Sequence, residues 1–339
     1  MSQGEIPPPH VQMLQMISAF WLSRSIYAAA KLGLADLVRE RPRTVAELAD
    51  ATETHAQSLH RLLRALASAG VFAEDEAGRF QTTPLAATLE RDAPGSLRAF
   101  AMTELGEEHY PAWGELLHSL RTGETAFDKV FGMPVFDFFA RNPENARIFN
   151  DAMTGLTSVV NAAVVEAYDF RAFRRVVDVG GGHGGFLTAV LNASPEAAGV
   201  LFDSPQVVEG AHALLESQGI AGRCEAVGGD FFEGVPAGGD LYALKWIIHD
   251  WDDAQSARIL RNVRAAMSDG GRLILIEQVI PPGNEPSLGK FVDLNMLVMT
   301  GGRERTEGEF RALYDAAGFR LTRVVHTASP MSIVEGEPA

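Results

Sequence analysis

An apolar strand that runs directly into a cluster of glycines constrains this chain more than any other feature. Residues 176–179 form a strand-like run, and five of the six residues 180–185 are glycine. Glycine adopts positive φ and lets a ligand approach the backbone, while a helix beginning near Phe186 points free N–H groups into the turn. Gly180, Gly182 and Gly185 also fit the pattern G-x-G-x-x-G, which predicts a site for either a dinucleotide or S-adenosylmethionine (SAM).

The pattern beyond residue 175 alternates between strands and helices. It predicts strands at 176–179, 199–202, 224–227, 241–245 and 272–276, and helices at 206–217, 254–267 and 307–317. Such alternation is typical of a parallel, doubly wound α/β sheet. Ligands of these sheets bind beyond the carboxyl ends of the strands, so the residues there are the candidates for a site.

The N-terminal part of the chain has a mainly helical pattern. Apolar residues follow helical spacing over 10–38, with a break near Gly33. Thr44, followed three residues later by Glu47, matches the capping box that starts a helix. A further helix is predicted over 57–68.

A short hairpin follows these helices, with strands predicted at 71–72 and 79–82 around a turn at 75–78. Helices followed by a hairpin indicate a winged-helix arrangement. Residues 40–90 contain 5 Arg, no Lys and 8 acidic residues. Because DNA binding needs a basic face, a structural or dimerising role is favoured for this part of the chain.

The composition limits which binding partners and which cellular location are expected. The 339 residues allow two domains, and a net charge of −15 argues against nucleic acid or an anionic membrane as a partner. A single cysteine cannot form an internal disulfide, and residues 1–5 lack the regions of a signal peptide, so a cytoplasmic location is expected. The apolar stretch 19–38 is interrupted by three charged residues, which argues against a membrane-spanning helix.

Polar and aromatic residues follow the predicted strands in order. Asp203 lies 23 positions beyond Gly180, where a carboxylate can accept hydrogen bonds from both ribose hydroxyls. Asp230 can accept from an adenine amino group, and Phe231 can stack on its ring. Asp203 could instead be a turn or cap residue, and Phe231 could be simple packing.

This series resembles the SAM-dependent small-molecule O-methyltransferases of the plant-phenolic and bacterial polyketide type, over almost the whole chain. The resemblance implies SAM as the cofactor, S-adenosylhomocysteine as its product and no metal. It assigns cofactor binding to Gly180, Gly182, Asp203, Asp230, Phe231, Lys245 and Thr157.

The same resemblance implies a general base and an acceptor pocket. It assigns the base to His249 in Lys-Trp-Ile-Ile-His-Asp-Trp, with flanking carboxylates at Glu277 and Glu304. Its acceptor-pocket positions are occupied here by Met153, Trp246, Asn295, Met296 and Met299. The acceptor is then a hydroxylated aromatic small molecule.

The resemblance also divides the chain. It implies a winged-helix-like dimerisation domain over 1–98 and a methyltransferase domain over 99–339, with a helical lid or linker at 99–170 and a Rossmann-like core at 171–339. The protein is then expected to be a homodimer.

Other classes fit parts of the same sequence. G-x-G-x-x-G alone also suits an NAD-dependent oxidoreductase, and the winged-helix pattern suits a regulator with a ligand-binding domain. Within the family, the SAM fold can be turned to decarboxylation or hydroxylation. His249 could be an ordinary surface histidine, or could join Asp250, Asp252 and Asp253 in a divalent metal site, although Asp252 and Asp253 precede a helix and suit its cap.

A histidine base faces an energetic obstacle with a phenolic acceptor. A phenol titrates near pKa ~10 and a histidine near ~6.5, so full deprotonation before transfer would cost about 5 kcal/mol. Either proton loss is coupled to attack, or the natural acceptor is acidified by a conjugated carbonyl or a quinone.

Overall fold

The computed structural model describes residues 7–339, apart from the side chains of residues 154, 156, 158 and 159. Residues 1–5, in which no signal peptide is predicted, lie outside the described residues. The chain forms two compact units. The first comprises the segment up to Tyr110 and Phe139–Leu156, and the second comprises Pro111–Phe138 and Thr157–Ala339. The predicted division between residues 98 and 99 stays a prediction.

A seven-stranded sheet forms the centre of the second unit. Its strands are β4 (Arg175–Val179), β5 (Ala198–Asp203), β6 (Cys224–Gly228), β7 (Leu241–Lys245), β8 (Arg272–Glu277), β9 (Phe319–His326) and β10 (Ser332–Pro338). They lie in the order β6-β5-β4-β7-β8-β10-β9. The five predicted parallel strands are confirmed, each within one residue of its predicted ends. The chain reverses direction across the sheet between β4 and β7.

The last two strands were not predicted. β10 pairs antiparallel with both β8 and β9, so the sheet is mixed at one edge. β9 carries charged residues among its apolar ones and is exposed at several positions, unlike parallel strands such as β4 and β8, which are buried almost throughout. A search for continuous apolar runs therefore misses it.

Helices cover both faces of this sheet. They include α12 (Gly185–Ala193), α13 (Pro205–Ser217), α14 (Asp253–Ala266), α15 (Gly289–Met299) and α16 (Glu307–Ala316). Alternate residues of β4 enter different cores: Val177 and Val179 pack in one, and Val176 packs in the other. Burial on both faces explains why these strands are apolar throughout.

The first unit is mainly helical, as predicted. Its helices are α1 (Pro9–Leu32), α2 (Leu34–Val38), α3 (Val45–Thr52), α4 (Ala56–Ser68), α5 (Pro84–Ala87) and α6 (Arg98–Glu104). Gly33 separates the first two with a φ of 66°, and the Thr44–Glu47 capping box forms as predicted. Buried leucines such as Leu48 and Leu63 join these helices in one core.

A small antiparallel sheet completes this unit, with β1 (Arg43–Thr44), β2 (Ala73–Glu74) and β3 (Arg79–Gln81) in the order β1-β3-β2. The hairpin is confirmed, but its first strand starts at Ala73 rather than at the predicted residue 71. Val71 and Phe72 are buried in the helical core instead, so their apolar character reflects core packing.

The segment 109–167, in which the chain passes between the two units, is also helical. It contains α7 (His109–Gly114), α8 (Leu116–Thr122), α9 (Ala126–Phe131), α10 (Val135–Arg141) and α11 (Pro143–Ala167). Phe127, Phe131 and Phe138 pack against one another with ring centres 4.5–5.6 Å apart. Among the described residues, no helix is both long and apolar enough to cross a membrane.

Candidate active site

The glycine turn has the conformation that its sequence demands. Gly180, Gly182 and Gly184 have φ values of 71°, 60° and 83°, a region that favours glycine. A Cβ atom at Gly180 would also overlap the side chain of Ile247. Glycine is therefore required at Gly180 both by its backbone angle and by the close approach of the segment after β7.

Asp203 lies at the carboxyl end of β5 and holds this turn. Its Oδ2 accepts a hydrogen bond from the Gly182 N–H at 2.8 Å, and its Oδ1 accepts from the Ser204 N–H at 2.7 Å. The local turn role that the sequence left open is thus present. Each carboxylate oxygen can accept a further hydrogen bond, so ribose binding stays compatible with this geometry.

Asp230 and Phe231 follow β6. The Asp230 Oδ1 accepts the Phe232 N–H at 2.8 Å, which turns the chain after the strand. The Phe231 ring lies 5.0 Å from that of Phe232 and 6.0 Å from that of Trp251. Both residues are partly exposed, so a face for an adenine ring remains available.

Asp178, near the end of β4, and Lys245, at the end of β7, carry opposite charges that interact electrostatically. Lys245 Nζ donates to Thr157 Oγ1 at 2.8 Å, which joins two of the predicted cofactor residues. Burial lowers the pKa of Lys245 to about 8 and raises the pKa of Asp178 to about 7. Both carboxylate oxygens of Asp178 are buried without a hydrogen-bond partner. The Asp178 carboxylate, unpaired beneath the glycine turn, therefore suits a ligand that carries a cationic group, as SAM does.

His249 is held between carboxylates on a single 3-10 turn, Ile248–Asp250, that follows β7. Its Nδ1 hydrogen-bonds Glu304 Oε1 at 2.8 Å and lies 3.8 Å from Glu277 Oε2. Its Nε2 lies 3.9 Å from Asp250 Oδ1. Glu277 and Glu304 are buried. The structure therefore brings together the three residues predicted as catalytic, and His249 is not an ordinary surface histidine.

The carboxylates change the acid–base character of this histidine. Burial disfavours the imidazolium, but the three neighbouring carboxylates outweigh burial and raise the pKa of His249 to about 10. Burial raises the pKa of Glu277 to about 7 and that of Asp250 to about 6. At neutral pH the imidazole therefore carries a proton.

Glu277 has a second task that the sequence did not reveal. Its Oε1 accepts the backbone N–H groups of Ile247 and Ile248 at 3.1 and 2.9 Å, so it holds the turn that carries His249. The preceding residue, Trp246, has a φ of 57°, which is strained for a residue other than glycine. Such tertiary contacts leave no signal in the residue pattern.

The cluster also has the composition of a metal site. Among the described residues, one ligand atom from each of His249, Glu277 and Glu304 can be chosen so that all lie within 4.8 Å of one another. His249 Nδ1 and Glu304 Oε1 are hydrogen-bonded to each other, whereas Glu277 Oε2 lies 3.8 Å from Nδ1 and is buried without a hydrogen-bond partner. The other metal site considered from the sequence, His249 with Asp250, Asp252 and Asp253, does not form such a cluster. Asp252 caps α14 by accepting the Gln255 N–H, and Asp253 pairs with arginine side chains. The capping prediction is thus confirmed for Asp252 and wrong for Asp253.

The predicted acceptor residues lie on several elements. Met296 and Met299 are buried on α15, a helix that the sequence did not predict, and Asn295 Oδ1 accepts the Trp113 indole N–H at 2.8 Å. The indole N–H of Trp246 points at Met331 Sδ at 3.2 Å, while Lys245 Nζ lies 4.2 Å from the centre of the Trp246 ring.

Met153 is half-buried in the part of α11 that belongs to the first unit. Its contribution to an acceptor pocket stays a prediction, as do the acceptor roles of the four residues in the second unit.

Comparison with protein families decides the assignment. Residues 113–320 match the O-methyltransferase domain model, and residues 14–92 match the O-methyltransferase dimerisation domain model. The chain belongs to this O-methyltransferase family. It is a SAM-dependent methyltransferase with a helical N-terminal dimerisation domain and a C-terminal α/β domain.

Individual relatives cover nearly the whole methyltransferase. Phenazine O-methyltransferase PhzM from Lysobacter antibioticus is 50% identical over 335 residues, which are 99% of this chain and 98% of the relative. The phenazine-1-carboxylate N-methyltransferase of Pseudomonas aeruginosa is 34% identical over 92% of each chain. Both O- and N-methyltransferases therefore occur among the relatives.

Solved structures of relatives share the fold. The crystal structure of LaPhzM has a TM-score of 0.94 and 50% identity, with 98% of this chain and all of that chain covered. The O-methyltransferase NcsB1 of neocarzinostatin biosynthesis, solved with SAM and 2-hydroxy-5-methyl naphthoic acid, has a TM-score of 0.82 and 33% identity, with 94% and 96% covered.

The glycine turn yields a test with a matched control. Gly180 and Gly78 both have a φ of 71°, but a Cβ at Gly78 would meet only Glu74 Oε1 at 3.9 Å. Each change to Ala should lower the free energy of unfolding by about 1–2 kcal/mol, because alanine disfavours positive φ. Only Gly180→Ala should also weaken SAM binding, by about tenfold or more, an effect of about 1.4 kcal/mol in calorimetry. Equal SAM affinity in the two variants would contradict the placement of the SAM site at the glycine turn.

Proposed function

We propose that this methyltransferase transfers the methyl group of SAM to a hydroxyl of an aromatic small molecule, with His249 as the general base. The observation that carries the proposal is the 2.8 Å contact between His249 Nδ1 and the buried Glu304 carboxylate. A carboxylate on Nδ1 fixes the tautomer in which Nε2 is free to accept a proton, and it stabilises the imidazolium that forms.

The raised pKa of His249 changes where the energetic cost expected for a phenolic acceptor arises. A base with a pKa of about 10 matches a phenol that titrates near ~10, so the proton transfer between them is nearly isoenergetic. The cost moves to the resting state, since the neutral imidazole is only about one part in a thousand at pH 7. The rate should therefore increase with pH up to the pKa of His249.

The cofactor would be held by the predicted set of residues. When bound, SAM supplies an electrophilic methyl carbon on a sulfonium sulfur. Gly180 and Gly182 allow a ligand to approach their backbone, Asp203 and Asp230 offer carboxylate acceptors, and Phe231 offers a ring face. Lys245 and Thr157 form the polar wall beside Asp178. The proposed reaction uses no metal, because the base acts through its own nitrogen.

Oxygen is favoured over nitrogen as the acceptor atom. An aromatic hydroxyl carries a proton that must leave, and a histidine backed by two buried carboxylates is suited to take it. A ring nitrogen without a hydrogen has no proton to give. Since the PhzM relative is named for phenazine O-methylation, we propose a hydroxylated, flat, phenazine-like ring system as the acceptor.

His249 can be tested directly. Changing His249 to Ala should lower kcat on a hydroxyphenazine by ~10² to 10⁴ while SAM affinity stays the same, because the base acts only on the acceptor. His60→Ala, at a partly exposed position in the first unit, is the control. Labelled methyl transfer and calorimetry measure the two effects. Full activity in His249→Ala, or transfer to phenazine carboxylate in preference to the hydroxyphenazine, would overturn the proposal.

The pH dependence tests the carboxylates. With a folded-state pKa of about 10, His249 gains its neutral form as pH rises, so kcat/KM should increase up to about pH 10. Glu304→Gln removes one negative charge, lowers the pKa of His249 and moves the end of this rise to lower pH. Glu307→Gln makes the same charge change at an exposed position and should leave the profile unmoved. Identical profiles for the two variants would remove Glu304 from the mechanism.

A homodimer is proposed through the N-terminal domain, which matches the dimerisation model. Its first helix, α1, exposes a series of large apolar side chains: Met13, Leu14, Met16, Ile17, Phe20, Trp21 and Leu22. An exposed apolar surface of this kind marks an interaction site, and a second copy of the domain is the proposed occupant.

The dimer can be tested by adding charge to α1. Ile17→Glu places a carboxylate on the apolar helix and should shift the protein to monomers, because an unpaired charge is costly in an apolar interface. Gln15→Glu adds the same charge about 200° away around the helix. Light scattering coupled to size-exclusion chromatography gives the mass of each variant. If both Ile17→Glu and Gln15→Glu have the mass of a dimer, the apolar surface of α1 is not the dimer interface.

A further inference from the structure

Arg305 is the largest side chain that is fully buried among the described residues, and it adjoins Glu304 in sequence. A buried guanidinium is costly unless its donors are satisfied. Its nearest counterion is Asp253, to which Nε and Nη2 donate at 3.0 and 2.8 Å, although the Asp253 side chain is 62% exposed. The remaining donors of Arg305 are directed into the protein.

Those donors meet the turn that carries His249. Arg305 Nη1 donates to the Ile248 carbonyl at 3.0 Å, and Nη2 donates to the Trp251 carbonyl at 2.9 Å. The Ser256 hydroxyl, also an acceptor for Nη2 at 3.2 Å, lies 3.3 Å from each of the same two carbonyls. One guanidinium therefore binds the carbonyls on both sides of His249. The Ile248 carbonyl also accepts the Trp251 N–H of the 3-10 turn at 3.3 Å.

The backbone around Arg305 contacts the same turn. The Arg303 N–H donates to the His249 carbonyl at 2.8 Å. A Cβ atom at Gly302 would clash with that carbonyl, so the segment 302–305 lies directly against the turn. Glu304 belongs to this segment. The position of Glu304 Oε1 relative to His249 Nδ1 thus depends on how firmly the segment and the turn are joined.

We propose that Arg305 is a positioning residue that locks the His249 turn to the Glu304 segment and so maintains the alignment of base and carboxylate. The proposal rests on His249 being the base of the proposed function. Arg305 does not touch the imidazole and acts only through the carbonyls that flank it. The planar fork of arginine reaches separate acceptors on two sides, which the single ammonium of lysine cannot reproduce.

The experiment compares Arg305 with Arg303, which is also paired with Asp253. The Arg303 side chain is 43% exposed and bonds Asp253 and Glu309, and among the described residues its hydrogen bonds and ion pairs do not reach the His249 turn. The variants are Arg305→Lys and Arg305→Gln, with Arg303→Lys and Arg303→Gln as controls. For each we would measure kcat, KM for a hydroxyphenazine, SAM affinity, thermal stability and the pH profile of kcat/KM.

Arg305→Lys should lower kcat by about 10²-fold with SAM affinity unchanged, because small misplacement of a catalytic group has effects of this size. The rise of kcat/KM should end at lower pH, since a loosened Glu304 supports the imidazolium less. The Arg303 variants should keep the wild-type profile. If Arg305→Lys loses thermal stability but keeps kcat and the pH profile, the residue is only structural and the proposal fails.

A second variant covers the case in which Arg305 variants do not fold. Asp253→Asn removes the counterion that orients the guanidinium, at a side chain that is 62% exposed, and should shift the pH profile in the same direction. Arg303→Gln also breaks the Arg303–Asp253 pair and controls for its loss. An unshifted profile in Asp253→Asn, with Arg305 variants unfolded, would count against positioning.

Titration of ¹³C-labelled histidine by NMR separates this proposal from the proposed function. The His249 resonance is the one absent in His249→Gln, and its pKa should fall in Arg305→Lys but not in Arg303→Lys. Full activity in His249→Ala would refute the base, yet the NMR shift would still show that Arg305 aligns the cluster. An unshifted resonance combined with an inactive His249→Ala would refute only the role of Arg305.

Discussion

The rest of the active site depends on one buried interaction, the hydrogen bond between His249 and Glu304. Removing an ion from water costs several kcal/mol, and this cost is offset only by good pairing and further hydrogen bonds. The surrounding elements provide both. Strand β8 ends in Glu277, whose second oxygen holds the backbone of the histidine turn. The segment after α15 places Glu304 against Nδ1. In this setting the pKa of His249 rises to about 10, so the imidazole is mostly protonated at neutral pH.

The order of the strands explains how His249 comes to lie near the glycine turn. β4 and β7 are neighbours at the point where the chain reverses direction across the sheet, so the turns that follow them meet. The contact of Gly180 with Ile247 and the adjacent charges of Asp178 and Lys245 are consequences of this order. The proposed SAM site and the proposed base thus lie at adjacent strand ends.

Much of the second unit was predictable because four of its five parallel strands, all except β6, are largely buried and mainly apolar. The glycine turn, Asp203, Lys245 and His249 were located from their places at the ends of such strands. Strands β9 and β10 and helix α15 were missed. β9 mixes exposed charged residues with apolar ones, and α15 follows a proline-rich loop that hides its start. The antiparallel edge, the strained backbone of Trp246 and the second role of Glu277 come from contacts between residues distant in sequence, which no local pattern records.

The α/β class, the glycine turn and the identity of the residues at the strand ends could be inferred from the amino-acid sequence, because they follow from local backbone preferences and from burial. How those residues affect one another depends on the folded structure. It raised the pKa of His249 by placing carboxylates from three separate segments around one imidazole, and it joined Arg305 to the carbonyls on either side of that imidazole. Electrostatic interactions depend on distance and burial, and the chain acquires both only when it folds.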